Sequence, residues 1–209
     1  MRYYHQQLYK DTGYAEECEV YVKLKKANAV LGLLSAFFMI FHIGYSVFAY
    51  LTMYYNPLLT SIFSIPFMVV VCLHAILGML TVFLQADGTR LDLYPGYNRR
   101  TILQRLSAAL ILPLLILHLN TFDLMTRAAM NGYVIFIILL MLAEVLFFAA
   151  VIAHIVISLP RALITLGALS SRKTQNTFER VLTIVGAVIF IVASVSVIRG
   201  QLIIFGGSY

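Results

Sequence analysis

Four histidines, His42, His74, His118 and His154, stand inside long apolar runs of this 209-residue chain, one in each of the first four runs. Imidazole is the side chain that most often binds transition metals and moves protons near neutral pH, and an ionisable residue inside a membrane-spanning run points to function. A single such histidine is as well explained by hydrogen-bonded packing; four, spread one per run, are not. The fifth histidine, His5, falls in a polar segment and reads as solvated.

The runs that must position them cover about 27–53, 60–84, 102–122, 133–158 and 181–205, each long enough for a crossing of about 20 residues. With 61% apolar and 11% charged residues and a mean hydropathy of +0.90, the chain lies far from the roughly 45–50% apolar and about 25% charged of a soluble domain. The expected fold is an all-α membrane protein, a five-transmembrane-helix bundle over 27–209 behind a polar arm over 1–26. That arm carries charge of both signs and no apolar h-region, so it does not read as a signal peptide. Asn56-Pro57 and Tyr94-Pro95-Gly96 mark turns, while Pro66 and Pro113 fall inside spans, where a bundle tolerates them.

The net charge of +6 does not indicate nucleic acid, because the basic residues sit in the connections. Thirteen of the fifteen lie in the arm, the second connection and the fourth; only Arg127 and Arg199 fall on the other side. By the positive-inside bias the N-terminus is expected in the cytoplasm and the C-terminus outside. Cys18 and Cys72 sit in dissimilar environments and no CxxCH motif occurs, so any haem is expected to be held non-covalently.

Alternating helix direction and a rise of about 1.5 Å per residue place His42 and His118 roughly 22–24 Å from the cytoplasmic face, and His74 and His154 roughly 6–15 Å from it. Two histidines at one level on different helices can supply both axial nitrogens of a six-coordinate haem iron. The expectation is therefore two stacked bis-histidine haems b, an outer one on His42 and His118 and an inner one on His74 and His154. Zinc fits less well, since it wants four clustered ligands and the depths split two and two. Proton relay explains neither the pairing nor the small residues Gly44, Ala75 and Gly78 near the ligands, which also suit close helix packing.

The segments Ser35 to His42, Val71 to Ala75, Leu103 to Ser107 with Leu117 to Leu119, and Val151 to His154 carry a resemblance across all five spans. The chain resembles the five-helix dihaem cytochrome b membrane subunit of succinate dehydrogenase and fumarate reductase, the succinate:quinone oxidoreductases. In that family the axial histidines of the first and third and of the second and fourth helices pair. Membrane cytochromes of the nitrate reductase and heterodisulfide reductase type take ligands from the second and fifth spans, and this fifth span has no histidine; hydrogenase and formate dehydrogenase cytochromes usually have four spans. The resemblance implies a bacterial or archaeal cytoplasmic membrane and, as partners, a flavoprotein and an iron–sulfur subunit on the cytoplasmic side. It also implies a quinone substrate, with menaquinone expected, in a respiratory complex II type of electron transport. The dehydrogenase chemistry would lie on the other subunits, as this chain has neither a GxGxxG loop nor a cysteine cluster. A cytochrome b anchor of another dehydrogenase, and a haem-free anchor or transporter, remain as alternatives.

Secondary sites follow. Arg105, Ser107 and Arg161, with Asn28, are expected near the inner haem's propionates, though the arginines also suit positive-inside anchoring. Glu144, an acidic residue well inside a span, is expected near the outer haem as a proton-transfer group for quinone, or else as a partner for a histidine or arginine. Asp123, Asn120 and Arg127 follow His118 and either pair with one another or line a quinone pocket. A glutamate that the family sometimes carries between its first two helices has no match in Tyr54 to Ile65, and the position of a second helical glutamate is Ile152.

Overall fold

Each helix outruns the apolar stretch that predicts it. The structure, a computed structural model, describes residues 14–84 and 95–206. It contains α1 (Tyr14–Thr52), α2 (Pro57–Leu84), α3 (Pro95–Met130), α4 (Val134–Thr165) and α5 (Arg172–Phe205), and no strand among the described residues. All five helices are long and apolar enough to cross a membrane. His5, Arg2, Lys10 and Arg90 lie outside the described residues.

The expected arm over 1–26 is only partly an arm, because α1 is already helical from Tyr14. Its 39 residues reach about 58 Å, nearly twice the roughly 30 Å of bilayer hydrocarbon. Helical hydrogen bonding does not stop where hydropathy does, and the polar stretch supports itself with the i,i+4 pair Lys23–Glu19 at 2.7 Å. At the other extreme, α4 continues past the expected end at 158, through the buried Pro160, to Thr165.

Local chemistry sets the turns. Asn56 caps α2, its Oδ1 accepting from the backbone N–H groups of Leu58 (3.0 Å) and Leu59 (3.2 Å) ahead of Pro57 at the first helical position. The Tyr45 hydroxyl clamps that turn from α1, donating to the Asn56 carbonyl (3.0 Å) and accepting from its N–H (2.9 Å). Replacing Asn56 by alanine is expected to cost about 1 kcal/mol, read as a lower Tm in detergent with the helical signal unchanged. Gly132 (φ +69°) and Gly167 (φ +81°) end α3 and α4 in the left-handed conformation. The following N–H groups of Tyr133 and Ala168 reach back to Ala128 and Leu163 at 2.9 Å. Ser171 caps α5 by accepting from the Thr174 N–H at 3.1 Å.

The architecture is two helical hairpins, α1–α2 and α3–α4, joined along α1 and α4, with α5 laid across α1 and α4 and brushing α3. Between α1 and α3, and between α2 and α4, every described Cα pair stays more than 8 Å apart. Close side-chain packing concentrates where α3 turns into α4 and α5 ends, around Met125, Ala128, Ile137, Leu140, Met141 and Phe205. Near that end α5 also grips α1. Gly200 leaves room for the Tyr50 ring, which a Cβ there would strike, and Arg199 donates to the carbonyls of Leu51 (3.1 Å) and Tyr50 (3.4 Å), completing the last turn of α1. The other basic residue of this end, Arg127, pairs with Asp123 at 2.8 Å. Both cations expected on the poorly charged side thus have local partners.

Candidate functional site

The four histidines follow one rule of placement. Each ring places Nδ1 against a group on the other helix of its own hairpin. In α1–α2, His42 Nδ1 lies 3.2 Å from the Ser64 hydroxyl, and His74 Nδ1 lies 3.2 Å from the Asn28 carbonyl. In α3–α4, His118 Nδ1 lies 2.7 Å from Glu144 Oε2, and His154 Nδ1 lies 3.1 Å from the Ser107 hydroxyl. A carbonyl or an ionised carboxylate only accepts, so His74 and His118 direct an Nδ1–H at their partners, and in the neutral ring that leaves Nε2 as the lone-pair nitrogen; the two hydroxyl-facing rings can adopt the same tautomer. A hydrogen bond at the second nitrogen is what orients a metal-ligating histidine; His154 Nε2 also lies 3.3 Å from the Ser158 hydroxyl, one turn on in its own helix.

Across the hairpins one pair of rings meets, and the other pair interacts electrostatically. His74 and His154 face each other with ring centres 6.4 Å apart and planes at 64°. An iron held about 2 Å from each of two opposed nitrogens would put the ring centres roughly 6 Å apart. His42 and His118 are within electrostatic reach of each other; His42 stacks on Phe67 at 5.5 Å and His118 on Phe147 at 4.8 Å. The helices that carry each pair are among those whose Cα atoms all stay more than 8 Å apart, which is compatible with a flat macrocycle between two axial ligands, since directly packed helices run only about 8–10 Å apart. Gly32 completes the cradle on one side: a Cβ there would sit 3.1 Å from His74 Cε1. The His74–His154 pair therefore fits a haem by its ring separation, and His42 with His118 offers the same ligand types from the other helix of each hairpin. Among the described residues no three His, Cys, Asp or Glu side chains converge, which offers nothing to zinc's usual four-ligand shell.

The secondary residues fall less neatly. Ser107 meets the His154 ring itself and the Gln104 carbonyl (2.9 Å). Arg161 donates to Gln104 Oε1 (2.7 Å) and Thr101 Oγ1 (2.9 Å), so it crosslinks α4 to α3 at that level. Arg105 is half-buried one residue beyond Gln104. Asn28 contributes its backbone carbonyl to His74, while its side chain lies over Gly78 and leaves a buried Oδ1 without a partner. Glu144 is 4% exposed and is taken up on both oxygens, by His118 and, at 2.7 Å, by the Thr121 hydroxyl. Of the two expectations for Glu144, this geometry is that of a histidine's partner. Asn120 bonds back to the Ile116 carbonyl, and Asp123 with Arg127 forms a surface pair.

Sequence reasoning missed Ser64, Thr121, Gly32 and the Asn28 carbonyl. Thr121 alone carried a signal, standing one helical turn after His118 and so on its face. Gly44, expected beside a ligand, has nothing within 4 Å of its Cβ position, and Gly78 faces Asn28. Comparison with protein families, curated proteins and solved structures returns no match for this chain.

Proposed function

We propose that the chain is a membrane anchor and electron-transfer subunit of the succinate:quinone oxidoreductase type, carrying two haems b. The observation that supports this most is the pairing of four histidines across two hairpins, with an Nδ1 partner for every ring. His74 and His154 would hold one haem and His42 and His118 the other; bound there, haem supplies reversible one-electron transfer. The chain's own contribution is to fix the tautomer and direction of each ring, to keep α1 from α3 and α2 from α4, and to surround the redox path with lipid-facing apolar helices. The charge asymmetry supports an orientation with the α2–α3 and α4–α5 connections in the cytoplasm of a bacterial or archaeal cell. There they would dock an iron–sulfur subunit and, through it, a flavoprotein that interconverts succinate and fumarate; the membrane quinone, menaquinone in this reading, exchanges electrons within the bilayer. The pair Arg100–Glu179, at 2.6 and 2.9 Å, ties the start of α3 to that of α5 and shapes this docking face.

The test is a reduced-minus-oxidised spectrum of the purified complex with haem quantification. Two low-spin haems b per chain, together with co-purifying flavin and iron–sulfur subunits, are expected. A haem-free chain would refute the proposal, and a different dehydrogenase among the co-purifying subunits would reassign the partner.

A further inference from the structure

The four Nδ1 partners are not alike. His42 and His154 face hydroxyls and His74 a backbone carbonyl, all neutral. His118 alone faces a carboxylate, at the shortest of the four distances, 2.7 Å, where Glu144 and Thr121 are each 4% exposed and the ring is half-buried. With both Glu144 oxygens hydrogen-bonded within this chain, the carboxylate is held against the ring, with the Tyr50 phenol in electrostatic reach. Resting on the proposed haem ligation, we infer that Glu144 is a positioning residue that acts through His118, polarising the imidazole and tuning the haem held by His42 and His118, and that it does not hand protons to quinone.

The physical basis is the outer-shell control of a ligand's basicity. A carboxylate accepting the Nδ1 proton pulls it away from the ring and leaves more electron density on Nε2. A more basic axial nitrogen favours the ferric over the ferrous state, which lowers the midpoint potential of that haem. The burial of the pair amplifies the effect, because a charge-assisted hydrogen bond is stronger where water does not compete. Thr121, hydrogen-bonded to Oε1, fixes the carboxylate's rotation so that Oε2 stays on the ring.

The substitution Glu144→Gln keeps a hydrogen-bond acceptor of the same shape and removes the charge. Redox titration of the purified complex should show two haems still bound, one midpoint raised and the other unmoved. The raised midpoint should be the one that survives in His74→Ala, and its low-spin ferric electron paramagnetic resonance signal should shift. Glu144→Asp, which retains the anionic acceptor, should stay near wild type; if Glu144→Gln sheds that haem, its retention in Glu144→Asp carries the same conclusion. The inference is overturned if both midpoints and the resonance signal stay put in Glu144→Gln, above all if quinone-linked turnover is then lost. A midpoint that rises with an unchanged resonance signal, or loss of the haem in both variants, overturns it equally. A wild-type complex without haem would instead fail the proposed function, so the two are separable.

Discussion

Purified His74→Ala is expected to retain one haem of two, and His154→Ala the same one. Both rings belong to a single site, whose ring centres stand 6.4 Å apart, and a bis-histidine iron that loses either nitrogen loses half its protein attachment. The surviving haem should keep its wild-type midpoint, because its own ligands and their Nδ1 partners sit at the other level. His42→Ala and His118→Ala should give the complementary result. A collapse of the bundle would mimic haem loss, so glycine at each position with added imidazole is the control: free imidazole refills the ligand position and should restore the spectrum. If a single substitution at each level left two haems and both midpoints intact, the pairing would be wrong.

A change that replaces no ligand should weaken the hold on the same haem. Gly32 faces His74 so closely that even a Cβ would lie 3.1 Å from Cε1 and 3.5 Å from Nδ1. Alanine needs only a few tenths of an ångström from the ring, whereas leucine at position 32 has no room for its branch and must swing His74 away from the Asn28 carbonyl. Overpacking of this kind typically costs about 1–3 kcal/mol, and about 1.4 kcal/mol is a tenfold loss of affinity. Affinity for the His74–His154 haem should therefore fall about tenfold in Gly32→Leu, little in Gly32→Ala, and not at all for the other haem, as read by titrating haem into the stripped chain. Glycine is the poorer helix former by about 1 kcal/mol, so intrinsic propensity pushes the opposite way and cannot account for a loss. Equal affinity in Gly32→Leu and wild type would remove Gly32 from the cradle.

Much of this architecture is legible in the chain because hydropathy reports the bilayer directly. The five runs, the turn at Asn56-Pro57 and the assortment of four histidines into two levels all follow from counting along helices. What counting misses is rotation about the helix axis. That Ser64 stands under His42, or that His74 reaches a backbone carbonyl, depends on how α2 turns toward α1, which no single-helix pattern records when nearly every face is apolar. Ser107 illustrates the same limit: counting along α3 sets it near the level of His154, and only the rotation of the helix shows its hydroxyl against the ring. Helix ends were misjudged for a related reason. Hydropathy marks where the membrane stops, as at residue 27 in α1, while the helix itself continues back to Tyr14 on polar residues that are good helix formers.

The placement of each ring's Nδ1 partner within its own hairpin has a bearing on assembly. Nδ1 is oriented within a hairpin, whereas the partner across the pair always belongs to the other one. Ring orientation is thus a local property, completed as soon as α1 folds onto α2 or α3 onto α4, each through sequence neighbours and, for α3–α4, a tight three-residue turn closed by Gly132. Joining the hairpins is a separate event that brings together ligands already aimed. Biogenesis can then proceed in the order in which a ribosome delivers helices to the membrane, half a candidate site at a time, and on the proposed ligation each haem would be the rivet between two prefabricated halves.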